Sequence, residues 1–253
     1  MKKAYLYIQT FLVITLLIGC QFSEELNLNE DGTGKITFNF DGSELMQMGG
    51  DKITEGREEI IDTLVVFKEF LEENKDSILS LPIEQQEKLK KLENFEMHMV
   101  MNPETKEMKF DLYQDFQNVN ELSDLLNNFK TASGAVHPKK DASAAGMVSP
   151  LSDTADEEPT KVVYSFKNNK FSRITEILDE EKLKQNVDSM ASMEMFLASS
   201  KYKLKYNFPR KIKKISSDKA MFSLDGKSFT LEVGFMQFMN NPKLLDVEVE
   251  LEE

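Results

Sequence analysis

The run Met97-His98-Met99-Val100-Met101 gathers the softest donor atoms of the chain. Thioether sulfur and imidazole nitrogen suit Cu(I). Met46, Met48, Met190, Met193, Met195, Met236 and Met239 could add to such a site. The spacing works against it. On a strand, Met97, Met99 and Met101 share one face with Phe95, and His98 points the opposite way. A Met–Phe stripe at period two fills cores more often than it binds metal. Copper binding by Met97, Met99, Met101 and His98 is therefore the alternative reading, not the first, and no metal or cofactor is assigned.

Asn27-Leu28-Asn29-Glu30-Asp31-Gly32 matches the opening of a calcium-binding EF loop. Such a loop needs an aliphatic residue two positions after its glycine and a bidentate glutamate at its end. Gly34 and Phe38 occupy those places, so the segment reads as a hairpin turn. Catalytic signatures are few. His98 and His137 are the two histidines, and no Gly-x-Ser-x-Gly elbow, His-Glu-x-x-His helix or phosphate-cradling loop occurs. A hydrolase built on distant carboxylates is the third reading, since spacing in space is invisible in sequence. No catalytic residue is assigned.

Lys201, Lys203, Lys205, Arg210, Lys211, Lys213 and Lys214 form one basic stretch interleaved with Tyr202, Tyr206 and Phe208. They read as the solvated side of an edge strand, where lysines discourage aggregation. A contact for lipid headgroups, acidic glycans or an acidic partner is the functional alternative. The chain as a whole is acidic, with net charge −13. That charge repels nucleic acid and anionic lipid, which argues against binding either through bulk charge, and no nucleic acid is expected as a partner. A 40% hydrophobic content supports a folded core, and 30% charge supports a body outside the bilayer.

Periodicity supplies the elements. Residues 24–40 alternate as a hairpin around Asn29–Gly34, and 94–114 alternate around Asn102–Lys106. A third hairpin spans 162–177 around Lys167–Lys170. Helices are expected over 54–73, from Pro82 to Leu92, from Asn118 or Asn120 to Phe129, and from an Asp179 cap to about Ala198. The C-terminal part reads as strands: Tyr202–Phe208, Ile212–Ile215, and a hairpin turning at Asp225-Gly226. A short helix or loop follows over 235–241, then a strand from Leu245 to Leu251. Hairpin and helix thus recur three times. The fold class is α+β, with antiparallel hairpins packed against helices and a strand-rich C-terminal part.

Residues 131–159 change character. Small, polar and acidic residues dominate and aromatics are absent, so this stretch reads as a flexible linker or loop. It separates an α+β region over 20–130 from a second over 160–253.

The only cysteine, Cys20, closes the run Leu17-Ile18-Gly19-Cys20 at the foot of a short apolar N-terminal stretch. Lys2 and Lys3 form its positive start, and Ala4 to Ile18 is shorter than the roughly 20 residues that span a bilayer. This arrangement resembles the lipobox of bacterial lipoproteins. Leu at the third position before the cysteine, then a β-branched residue, then Gly fits the family pattern. The resemblance covers residues 1–20. It implies export, removal of residues 1–19, and diacylglycerol on the Cys20 sulfur, often with a further acyl chain on the new amine. Several chains give stable anchoring at about 0.8 kcal/mol per buried methylene. Cleavage would take Lys2 and Lys3 away, moving the net charge from −13 to −15. No disulfide is then possible. Glu24 and Glu25 look like a weak version of the acidic tag that directs some lipoproteins to the cell surface, or else simply open the first strand. The segment from Tyr202 to Leu251, with Phe208-Pro209 and Asp225-Gly226-Lys227, also resembles uncharacterised bacterial lipoproteins. The resemblance implies a membrane-anchored envelope protein, in the outer membrane if the cell is Gram-negative, facing the periplasm or the surface. Its expected role is non-catalytic: binding or structural, with a protein partner in the envelope.

Overall fold

A computed structural model gives the fold. It describes residues 21–49, 60–122, 128, 131, 132, 159–190 and 194–253. Cys20, His137 and the stretch 133–158 lie outside the described residues, so the lipidation and linker expectations are not addressed by it. Most of the helix expected up to Phe129 lies outside them too.

The elements run as follows. β1 (Gln21–Leu28) and β2 (Gly34–Asp41) form the first hairpin and lead into α1 (Ser43–Gly49). β3 (Ile61–Val66) precedes α2 (Phe67–Glu73), α3 (Lys75–Leu79) and α4 (Ile83–Lys90). β4 (Glu96–Asn102) and β5 (Glu107–Phe116) form the second hairpin, followed by a 3-10 turn at Val119–Glu121. β6 (Thr160–Lys167) and β7 (Lys170–Ile177) form the third, followed by α5 (Glu180–Ser189) and α6 (Glu194–Leu197). β8 (Lys201–Asn207), β9 (Ile212–Ile215), β10 (Met221–Phe222), β11 (Ser228–Gly234), α7 (Phe235–Asn240), a 3-10 turn at Pro242–Leu245 and β12 (Val247–Leu251) complete the chain. The fold is α+β.

The turns form where the sequence allows left-handed backbone. Asn168 and Asn169 sit at φ 53° and 61°, the two-residue turn whose twist matches the flanking strands. Gly32 and Gly226 take φ 84° and 70°. Asp31 Oδ1 accepts from the Thr33 backbone N–H at 3.1 Å and from the Thr33 hydroxyl at 2.7 Å. Those bonds to Thr33 hold its carboxyl below the usual aspartate range. The EF-like segment is thus a self-satisfied hairpin turn.

Two sheets result. The larger has eight strands in the order β10-β11-β8-β1-β2-β5-β4-β3, and the smaller has four in the order β6-β7-β12-β9. Strands from both sides of the 131–159 stretch share the larger sheet, because β1 pairs with β8 in parallel, Gln21 opposite Lys201 and Asn27 opposite Asn207. That parallel pair departs from the expected all-antiparallel sheets. It is also the reason β8 is an interior strand and not an edge: β11 lies on its other side.

Inward residues alternate as the pleat demands. Phe22, Leu26, Ile36, Phe38, Leu112, Leu204, Tyr206 and Leu231 are fully buried or nearly so on the larger sheet. Part of that face is covered by the smaller sheet, not by helices as the hairpin–helix recurrence suggested. The Phe171 ring of β7 meets Tyr206 of β8 edge-on at 5.5 Å. Nearer the other end of β8, α7 supplies the lid. Phe235 stacks on Phe22 at 4.1 Å, and Phe238 contacts Tyr202 at 4.6 Å. Each such ring contributes about 1.5–3 kcal/mol through burial.

Two expected helices are corrected. Residues 61–66 are a strand, paired with β4 from Ile61 opposite Met101 to Val66 opposite Glu96. Thr63, Val65 and Val66 favour extended backbone, and a free neighbour on β4 outweighs the helical spacing of Ile61 and Leu64. Residues 54–59 lie outside the described residues. The helix from the Asp179 cap, whose carboxylate accepts from Lys182 N–H at 2.9 Å, ends at Ser189. A separate turn, Glu194–Leu197, follows.

Candidate functional site

The buried centre of the molecule holds an ion pair. Along β1, Phe22, Glu24, Leu26 and Leu28 point inward, so Glu24 occupies a core position. Along β7, Phe171, Arg173 and Thr175 do the same. Glu24 Oε1 lies 3.2 Å from Arg173 Nε, and Oε2 accepts from Nη2 at 3.3 Å. Three phenols complete the shell. Tyr164 donates to Oε1 at 2.7 Å, Tyr202 donates to Oε2 at 3.2 Å, and Tyr206 also donates to Oε1. The register explains the convergence. Glu24 stands opposite Leu204, so Tyr202 and Tyr206, two residues to either side, flank it on the same face. Arg173 Nη1 donates to the Leu245 carbonyl at 3.3 Å, tying in the turn before β12.

Electrostatics follow from burial. Desolvation works against the Arg173 charge, but Glu24 and the phenol oxygens outweigh it and hold the guanidinium protonated well above its ordinary range. Desolvation, then the Glu24 charge, pushes the Tyr206 hydroxyl well up. The pair and its phenols are sealed from solvent, so they join the two sheets and do not meet a ligand.

The open site lies on the other side of the larger sheet. Outward residues of four adjacent strands line a groove of about 420 Å³. β2 gives Lys35, Thr37 and Asn39, β5 gives Asp111 and Tyr113, β4 gives His98, and β3 gives Leu64. Cross-strand register assembles them: Asn39 and His98 both stand opposite Asp111. Ser23 Oγ donates to Asn39 Oδ1 at 3.2 Å, and Asn39 Nδ2 donates to Asp111 Oδ1 at 2.7 Å. His98 Nε2 lies 2.7 Å from Asp62 Oδ1. Tyr113 donates to Glu96 at 3.0 Å, and its ring carries Lys35 Nζ 4.2 Å above the centroid. Burial, then that bond to Glu96, raises the Tyr113 hydroxyl above its ordinary value. The groove offers a cation, a carboxylate, an imidazole, an amide, hydroxyls and a small apolar wall within one patch. Such a set can hold a polar ligand by hydrogen bonds.

No family profile and no curated relative matches the chain. Among solved structures, the chain is similar to the NMR structure of the folded domain of the Mycobacterium tuberculosis LppM protein. That similarity covers 94% of each chain at 6% identity, with a TM-score of 0.38.

The sequence-based candidates scatter. Met97, Met99 and Met101 are buried on the inward face of β4, while His98 faces the groove on the opposite side. Met46, Met190 and Met239 are buried elsewhere in the core. Among the described residues, no three His, Cys, Asp or Glu side chains are grouped to hold a metal. Glu24 and Glu25, neighbours in the expected acidic tag, part company. Glu24 is buried, and Glu25 is partly exposed and paired with Lys205 at 2.5 Å. Lys203 pairs with Glu232 at 3.1 Å, so β8 lysines serve cross-strand pairs within the sheet. Sequence reasoning missed the Glu24–Arg173 pair. Its signal was a charge on the inward phase of each strand.

Proposed function

We propose that the protein is a cell-envelope lipoprotein, anchored through lipid on Cys20, whose body binds a partner without carrying out chemistry. The observation that carries this reading is the run Leu17-Ile18-Gly19-Cys20 placed directly ahead of β1. β1 is an interior strand, between β8 and β2. Cleavage before Cys20 would leave the lipidated residue joined to the middle of the sheet with no spacer. The body would then stand close to the bilayer on a short tether.

The groove on the outward face supports the binding half. Its lining residues offer hydrogen-bonding groups side by side. A polar ligand or a protein of the envelope fits this surface better than nucleic acid, which the net charge repels.

Cells making the protein are fed a clickable palmitate analogue and compared with Cys20→Ala. Label on the native chain and none on the variant is the expected result, with the variant unprocessed or released from membranes. Label retained by Cys20→Ala overturns the anchor. Cross-linking in intact cells tests the binding half. A captured partner lost with Asp111→Lys supports the groove, and capture unchanged by that substitution removes it.

A further inference from the structure

The hairpin between β10 and β11 presents apolar side chains to solvent. Met221, Phe222 and Leu224 are 63%, 52% and 111% exposed, within four residues of one another. Single exposed apolar residues are ordinary, but three at one projecting tip are a patch. Nor is the tip slack. Gly226 N–H donates to the Ser223 carbonyl at 3.0 Å, Ser223 N–H to Ser228 at 3.0 Å, and the Ser223 hydroxyl to Asp225 at 2.5 Å. Asp225 also accepts from Lys227 N–H at 3.0 Å, and its carboxyl is held low, first by the Ser223 bond. Ile212 N–H fastens the turn to β9 through the Gly226 carbonyl at 2.8 Å. Leu224 is thus held outward by a wired turn.

The surroundings reverse the sign of the molecule. Arg210, Lys211, Lys213, Lys214, Lys219 and Lys227 fall within 210–227, against Asp218 and Asp225, in a chain of net charge −13. Glu30 takes Arg210 at 3.2 Å and Glu250 takes Lys213 at 2.6 Å. Glu248 and Glu252 on the β12 side add further acid. Lys211, Lys214, Lys219 and Lys227 are exposed, and Lys227 Nζ donates to the Pro209 carbonyl at 2.8 Å.

We propose that this hairpin tip docks onto an anionic lipid bilayer, with Leu224 and Phe222 entering the acyl boundary and the lysines meeting lipid phosphates. A convex tip that projects its apolar groups has no concavity to grip a peptide, whereas a bilayer interface accepts such a shape. Apolar burial and attraction to anionic headgroups act together there. The contact does not depend on Cys20. Ser228 stands opposite Asn207, and Asn207 opposite Asn27. The tip therefore lies beyond the far end of β1, roughly 20 Å along the strand from Gln21. Lying flat, the sheet brings the tip to the bilayer that holds the N-terminus, and standing upright it brings the tip to a second one.

The chain contains no tryptophan, so Leu224→Trp is a clean reporter. The full chain is reconstituted into neutral phosphatidylcholine nanodiscs, or into nanodiscs containing phosphatidylglycerol, and vesicles of either composition are added. Blue-shifted emission from the introduced indole with phosphatidylglycerol, in the same disc or from added vesicles, supports the proposal. Flotation of native protein with added anionic vesicles should weaken about tenfold or more in the double variant Phe222→Asp, Leu224→Asp. Circular dichroism should show that variant folded, since both side chains are exposed. Indole emission unshifted in every lipid, or an equal shift with neutral lipid, overturns it, as does flotation of native protein with added anionic vesicles that the folded double variant leaves unchanged.

Discussion

Glu24 and Arg173 meet across the two sheets at 3.2 Å, and both side chains are 2% exposed or less. A pair so placed gains little over apolar residues of the same size, because desolvating both charges offsets their attraction. Its effect is on uniqueness. Slipping β1 by one residue against β8 would swing Glu24 to the outward face and leave Arg173 and three phenols without their acceptor. The pair therefore fixes the register of the parallel β1–β8 pairing and the seating of the smaller sheet at once.

Arg173→Met should cost about 3–5 kcal/mol, because it strands a buried carboxylate. Glu24→Leu strands the guanidinium and the phenols and should cost at least as much. The double variant should recover part of the sum, with a coupling above about 1 kcal/mol. Urea denaturation of the four proteins measures the cycle, and additive losses would contradict the pairing. Glu25→Ala is the control. Its exposed pair with Lys205 should be worth within about 0.5 kcal/mol.

Alkaline pH should find the same cluster. Folding raises the Tyr206 hydroxyl above its ordinary value of 10.0, through burial and the Glu24 charge. The native state keeps a proton that the unfolded chain releases. Stability from this source is whole below pH 10.0 and is lost as pH rises through the folded-state value. The urea midpoint should fall steeply above that pH, and less steeply in Tyr206→Phe. Equal slopes in both proteins would show that Tyr206 is not the group responsible.

Two glycines of the first hairpin should respond differently. A Cβ on Gly34 would lie 2.1 Å from the Asn27 carbonyl oxygen and 2.5 Å from the Phe116 ring. Gly34→Ala must push backbone apart, at about 1–3 kcal/mol. Gly32 has open space around it but φ 84°. Gly32→Ala should cost about 1–2 kcal/mol through left-handed backbone alone, and Gly32→Asn less. Thermal unfolding separates them: a neutral Gly34→Ala would mean the close approach is absent.

The hairpins were legible because alternation and turn chemistry are local. Ile36, Phe38 and Phe40, or Val162, Tyr164 and Phe166, declare one face, and Asn168-Asn169 declares the turn. β3 was not, because its six residues owe their extended form to a partner about 35 residues onward in β4. The β1–β8 pairing joins positions 180 apart, as the Glu25–Lys205 contact shows, and nothing local encodes it. The groove was hidden for the same reason. Lys35, Asp111 and His98 become neighbours only once three strands are in register. Glu24 is hidden differently. Beside Glu25 it reads as half of an acidic tag, yet it shares its phase with Phe22, Leu26 and Leu28.

The methionines of β4 should prove to be packing. Met97 is fully buried and Met99 is 6% exposed, on the face opposite His98. Thioether and imidazole cannot then converge on one ion without turning the strand over. Met97→Leu together with Met99→Leu keeps volume and polarity, so each change should cost less than about 1.5 kcal/mol. Cu(I) titration of native and double-variant protein should give the same uptake. A stoichiometric site lost in the double variant would mean that β4 opens enough to expose its core face, and the copper reading would return.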